Sequence, residues 1–324
     1  MEIQGLLKRF AVCDYPAEFL AARLLGKKSI LFKDWEFLIT GSNSIQNLQN
    51  TPFFPYLKQY GSSGVWRFLS HEHSWVYSRM DPYLRKTFSA YFVYHEGNTL
   101  IVCLRYLESR KGMEAVRQEL HSSLLNQSIQ NILTSGSDIT EILQALELYL
   151  ERQTDLFNGL QELYRQKGIG AAEIFIRDGF FALIAMQKLP VKLKKFFQQL
   201  VDIHNCLFLA KTIRWGIKSE PAMIPGGTIP PDLFKRAYFQ KNLTSVAKFL
   251  RLNADPGADP AIAGLETALL QSLTRKLKIR SYQRTVIGDI LFYLWEQYRY
   301  TRNISLILNT ALVDDILIRE QIVA

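Results

Sequence analysis

The sequence predicts an all-α fold made of three similar helical-bundle domains. Three observations lead there. Chain-breakers are scarce, with 18 Gly and 11 Pro in 324 residues, below the usual shares of about 7% and 5%. Apolar residues recur at helical spacing, and strict alternation is rare. Similar segments also return at intervals near 100 residues, too long for the unit of a solenoid.

The repeated element is an Asn followed by aliphatic residues in a stretch of helical composition. It occurs at Asn98–Arg105, Asn205–Lys211 and Asn303–Asn309. A second element lies between them. The segment from Asp34 to Leu48 aligns without gaps to Asp232–Val246, with a weaker copy at Ser137–Leu146. The first two read as an N-capped helix, a polar break and a second short helix, with Asp34 and Asp232 as N-caps whose carboxylates accept from first-turn N–H groups; in the third, Asp138 precedes Ile139 as Ser44 precedes Ile45 and Asn242 precedes Leu243. Lys111-Gly112 and the run Gly216–Gly227 supply breaks, so the expected domains are 1–111, 112–217 and 218–324. Pro231 suits the first turn of a helix, where its missing N–H costs nothing. From Ile287 to Leu308, the residues Ile287, Leu291, Leu294, Tyr298 and Leu308 form one stripe, with Asp289, Glu296 and Asn303 opposite. The alternating piece Gly64–Ser70 reads as loop.

Composition excludes several classes. Hydrophobic residues make up 48% of the chain, far too many for a disordered protein. The longest strongly apolar stretch, Gly179–Gln187, is closed by Asp178 and Lys188, whereas a membrane span needs about 20 apolar residues. No secretory signal is visible at the N-terminus. Three widely spaced cysteines, Cys13, Cys103 and Cys206, fit a reducing compartment and give neither a disulfide framework nor a zinc pattern. The net charge of +9 points to an acidic partner, anionic lipid or nucleic acid without choosing among them.

Catalytic chemistry finds no assembled set. His71-Glu72-His73 is the one close histidine pair; H-x-H can chelate on a strand, but the segment reads as a solvated polar loop without a third ligand. Cys103 and Cys206 sit in apolar helices and read as buried structural thiols. Gly226-Gly227 and Gly168-Ile-Gly170 lack the phosphate-loop and dinucleotide patterns. Two basic clusters stand out. One is Arg275-Lys276-Leu-Lys278-Ile-Arg280 with Arg284; the other is Lys188, Lys192, Lys194 and Lys195. Both read first as solvated faces of amphipathic helices, with Leu273, Leu277 and Ile279, or Leu193, Phe196 and Phe197, turned inward. A protein or membrane-surface contact comes second. A helical nucleic-acid-binding protein is the alternative function, carried by charge alone and by no recognised motif.

Four places, taken together in order, resemble the C-type subunit of V/A-type ATPases, the counterpart of the d-type subunit of the eukaryotic vacuolar enzyme. The first is Ala22-Arg23-Leu24-Leu25, followed by Asp34–Ile39 and by Ile45 to Thr51-Pro52-Phe53. The second is Val201-Asp202-Ile203-His204-Asn205, running on to Lys211 and Arg214. The third is Ile224-Pro225-Gly226-Gly227 with a Pro-rich helix start at Ile229–Leu233, and the fourth is Glu296, Arg302, Asn303, Leu306 and Ile307 before a closing Arg319–Val323. The resemblance implies a funnel of three helical domains around a pseudo-threefold axis. It implies a non-catalytic rotor subunit that takes no cofactor, metal or small-molecule substrate. Such a subunit lies peripherally on the cytoplasmic face of the membrane and joins the central-stalk subunits to the membrane-embedded rotor ring. It thereby passes torque between ATP turnover and proton or sodium movement. Basic residues on the long helices, Arg23, Arg105, Lys211, Arg214 and Arg302, are the expected partner-binding residues, with surface or inter-domain salt bridges as the competing reading.

Overall fold

The structure, a computed structural model, describes residues 3–11, 15–29, 35–40, 46–109, 112–136, 138–152, 154–252, 262–281, 285–309 and 315–323. Cys13, the expected Asp34 cap, Ser44, Ile45, Lys111, residues 253–261 and Arg284 lie outside them, as does the side chain of Arg280.

The described residues are almost all helical, as expected. In chain order the helices are α1 (Ala17–Ser29), α2 (Trp35–Thr40), α3 (Phe54–Tyr60), α4 (Gly64–Arg79), α5 (Pro82–Glu108), α6 (Met113–Leu120), α7 (Gln127–Leu133) and α8 (Ile139–Glu151). They continue with α9 (Leu160–Lys167), α10 (Ile169–Ala185), α11 (Val191–Arg214), α12 (Pro231–Gln240), α13 (Thr244–Leu250), α14 (Ile262–Ser281), α15 (Val286–Asn309) and α16 (Asp315–Gln321). Short 3₁₀ turns lie at Ile3–Leu6, Gln46–Leu48, Gly61–Ser63 and Asp155–Phe157. Extended pairing among the described residues is limited to a single antiparallel bridge, Leu7 with Leu125.

The chain packs as two compact units, Met1–Leu20 with Ser70–Leu189, and Ala21–Leu69 with Pro190–Ala324. In the first, α5 is the central element. Asp81 caps it by accepting from Leu84 N at 2.7 Å, and Pro82 takes the first turn. Phe88, Tyr91, Phe92, Leu100, Cys103 and Leu104 are all buried along it. Helix α10 approaches α5 closely, since a Cβ at Gly97 would lie 3.0 Å from the Phe180 ring, and it approaches the Asp155–Phe157 turn as closely, since one at Gly179 would lie 2.6 Å from the buried Phe157 ring. In the second unit, one core joins Leu38, Leu48, Phe53 and Phe68 to Tyr300, Ile304, Ile318 and Ile322. Residues from both ends of the chain therefore share an interior. A second core joins α11 to α12, α13 and α14 through Cys206, Leu209, Phe234, Val246 and Leu269.

Four expectations are corrected. Gly64–Ser70 and His71-Glu72-His73 are helix, not loop. Val65, Phe68, Leu69, Glu72, His73, Val76 and Tyr77 are buried at the 3- and 4-residue spacing of one helical face. Two polar residues inside that stripe hide it from a hydrophobicity reading. Asp232 lies within the first turn of α12, and Pro230 stands at the cap position. Ile279 is 61% exposed, although Leu273 and Leu277 are buried as expected.

The buried His73 ring stands edge-on to Tyr91, Phe92 and His95, at centroid distances of 5.6, 5.8 and 4.7 Å. Burial pulls its pKa from the ordinary 6.5 to about 3, and burial with the neighbouring His73 holds His95 well below 6.5. Folded His73 is therefore neutral where the unfolded chain binds a proton. Its contribution to stability is complete above pH 6.5 and is lost as pH falls toward 3. Between pH 7 and pH 5 the loss from this one residue comes to about 2 kcal/mol. Chemical unfolding at the two pH values should show that loss added to the one His95 causes, and His73→Phe should remove the His73 share and leave a shallower profile. An unchanged profile in the variant would remove this assignment.

Candidate partner-binding surface

The long helices position loops through buried polar side chains. In the second unit Asp202 of α11 accepts from Thr228 N at 2.8 Å and Ile229 N at 3.1 Å, and also from the Thr228 hydroxyl. One turn on, Asn205 pairs both ways with Ile224: its Nδ2 donates to the Ile224 carbonyl at 2.8 Å, and Ile224 N donates to its Oδ1 at 2.9 Å. The Ile-Pro-Gly-Gly segment is thus tied to α11 at both ends. Its glycines serve separate purposes. Gly226 sits at φ +97°, which disfavours a side chain. Gly227 lies so near Asp202 that a Cβ would come 2.3 Å from Oδ1. Burial raises the Asp202 pKa, opposed by these hydrogen bonds and by the charge of Lys276.

The same device recurs. In the first unit buried Glu96 of α5 accepts from the Ser123 hydroxyl at 2.6 Å and Leu124 N at 2.7 Å, 27 and 28 residues downstream. The Asp202 partners are 26 and 27 residues downstream. Each clamp precedes a short helix, α7 or α12. On α15, Asn303 pairs both ways with Val323, at 2.9 and 3.1 Å, 20 residues downstream, as Asn205 does 19 downstream. Arg299 also donates to the Val323 carbonyl at 2.7 Å and is bidentate to Glu296 at 3.0 and 2.9 Å. Asn98, aligned with Asn205 and Asn303 on sequence, is exposed on α5, and Glu96 beside it makes the clamp.

The thiols of Cys103 and Cys206 are buried and pushed well above their ordinary pKa by that burial, which suits packing rather than nucleophilic attack. Of the basic residues, Arg105 is bidentate to Glu173, at 2.5 and 2.7 Å, within the first unit. Arg302 donates to the Gln321 carbonyl at 3.0 Å and lies 3.7 Å from Glu266. Arg23 is exposed on α1, and Lys211 and Arg214 are exposed on the last turn of α11. Arg23, Arg105, Lys211 and Arg214 are thus exposed, and Arg105 and Arg302 pair with carboxylates.

A further surface went unread in the sequence. Residues 233–254 contain no acidic side chain and five basic ones, Lys235, Arg236, Lys241, Lys248 and Arg251, all exposed. They lie on α12, α13 and their turns, with Phe239 72% and Phe249 47% exposed. Lys241 and Arg251 end the two helices in the left-handed conformation, φ 48° and 54°. Asn242 N and Leu252 N then bond back to the Ala237 and Ala247 carbonyls. The acid-free run was the available signal.

An all-helical chain with loops clamped to its long helices and basic, aromatic outer turns has the makings of an assembly component. The ATP synthase (C/AC39) subunit family model matches residues 67–314, and the chain belongs to that family. It is accordingly a subunit of a rotary ATPase, from a family of accessory rather than catalytic subunits, and associates with other subunits of that enzyme. Comparison with curated proteins finds no match. Among the described residues no helix is long and apolar enough to cross a membrane.

Replacing Asn205 by Ala leaves the buried N–H and carbonyl of Ile224 without partners. The cost should be about 2–6 kcal/mol, from about 1–3 for each group left unsatisfied. Gly227→Ala should destabilise by driving a methyl into Asp202. Both should raise hydrogen exchange at Ile224 and Thr228; unaltered exchange in either variant would disprove the clamp.

Proposed function

We propose that the chain is a non-catalytic rotor subunit that couples the central stalk of a V/A-type ATPase to its membrane-embedded ring. It transmits torque between ATP turnover and proton or sodium transport. In this reading it lies peripherally on the cytoplasmic face of the membrane. Its three similar helical domains, 1–111, 112–217 and 218–324, form a funnel around a pseudo-threefold axis.

Family membership carries the reading. Three long helices of 27, 24 and 24 residues, α5, α11 and α15, support its architecture. Two share a carboxylate clamp and two an asparagine clamp at nearly equal offsets. α11 carries both clamps and so relates the other two helices. A torque coupler must resist deformation, which densely packed helices do, and must present binding surfaces to two partners. The short elements at 44–50, 138–146 and 242–250 are the proposed stalk-facing parts. The last of these borders the basic, phenylalanine-bearing turns of α12 and α13. Arg23, Lys211 and Arg214 are proposed to meet acidic groups of the stalk or ring, with Arg105 and Arg302 shaping the same helices from within their ion pairs.

Affinity purification of the tagged chain from its native membranes should bring down central-stalk and ring subunits. The double variant Lys211→Glu, Arg214→Glu should fold normally and bind stalk subunits at least about tenfold more weakly, as expected for lost charge-assisted contacts. Recovery of the chain without those subunits would overturn the function. Undiminished binding by the variant would remove these two residues from the interface.

A further inference from the structure

An open cavity of about 330 Å³ lies in the first unit, walled by the segment Gln4–Phe10 and by Tyr77 and Arg85. Three of its lining residues, Lys8, Arg9 and Arg85, are cationic and none is acidic. Arg85 is only 6% exposed. Its guanidinium donates to the carbonyls of Tyr77 (3.3 Å), Phe10 (2.8 Å), Ala11 (2.7 Å) and Ser78 (2.9 Å). Those four bonds draw on the five N–H donors of an arginine. They hold the charge rigidly, yet supply dipoles rather than a counter-charge. Among the described residues no carboxylate pairs with it. Buried charges ordinarily have a partner of opposite sign.

The neighbourhood has the same character. Lys8 is half-buried and feels the Glu96 carboxylate behind the lining, although burial still lowers its pKa, while Arg9 is exposed. A second depression, of about 310 Å³, shares Gln4 and is lined by Lys86 and Lys188, again with no acidic residue. The half-buried ring of Phe10 stands edge-on to Tyr77, at a centroid distance of 5.9 Å. A concave wall of one charge sign backed by low-dielectric packing concentrates counter-ions. Lysine and arginine together match the oxygens of a phosphate group, arginine through its planar fork and lysine as a point charge.

We propose that this cavity is an anion site that takes a phosphate-bearing ligand, with Arg9 and Lys8 as the contacting cations and Arg85 as the fixed charge behind them. The ligand is either a small soluble phosphate compound or the phosphate headgroup of an anionic lipid; both present the same oxygens. The site is independent of the proposed stalk and ring contacts, being formed by other residues.

The test uses the full-length chain at low ionic strength with two probes, inorganic pyrophosphate by titration calorimetry and phosphatidylglycerol-containing vesicles by flotation. The variants are Arg9→Glu, Lys8→Gln and, as a control outside the cavity lining, Arg165→Glu on α9. Arg9→Glu should weaken binding about tenfold or more, the loss of one charged hydrogen-bonding partner. Lys8→Gln should weaken it less, and Arg165→Glu should leave it unchanged. That pattern with pyrophosphate identifies a soluble ligand, and the pattern with vesicles alone identifies the headgroup. Binding of neither probe overturns the proposal. So does indifference to Arg9→Glu, or an equal loss in Arg165→Glu, which would mark general charge attraction.

Discussion

A buried loop must find partners for its backbone N–H and carbonyl groups, and here the long helices supply them. Asp202, Asn205, Glu96 and Asn303 reach from helix cores to main-chain atoms 19 to 28 residues downstream. Without them, the buried main-chain groups of Leu124, Ile224, Ile229 and Val323 would lack these partners, at about 1–3 kcal/mol each. The clamps fasten irregular chain to the long helices at the points where it enters the interior.

This constraint explains choices that look arbitrary in isolation. The double glycine after Pro225 combines a positive-φ position with a close approach to a carboxylate. Val323, near the end of the chain, is gripped by both Asn303 and Arg299, whose charge is neutralised by Glu296. For a rotary ATPase subunit, such ties resist the relative motion of helix and loop. The proposed transmission of torque requires that resistance.

Much of the fold is legible in the sequence because helical periodicity and scarce chain-breakers are strong signals. The first-turn Pro231 lies where capping chemistry puts it. The family is legible from motif order. The clamps are half visible: Asp202–Asn205 and Ile224–Gly227 each stand out, but sequence does not reveal that two segments about 20 residues apart are bonded to each other. Helix α4 is hidden because Glu72 and His73 occupy its buried face, and hydrophobicity alone scores both as surface. The basic turns of α12 and α13 are overshadowed by the denser cluster near Arg275, in which Lys276 is half-buried and acts on Asp202 through its charge. Arg105 and Arg302 each pair with a carboxylate within the fold, an arrangement that charge along the sequence does not reveal.

The most direct test is ATP-driven ion transport in vesicles carrying the assembled ATPase, prepared with and without this chain. The account predicts that the enzyme lacking it still hydrolyses ATP but moves no ions, and that adding the chain back restores transport. Undiminished transport in its absence would contradict the coupling role.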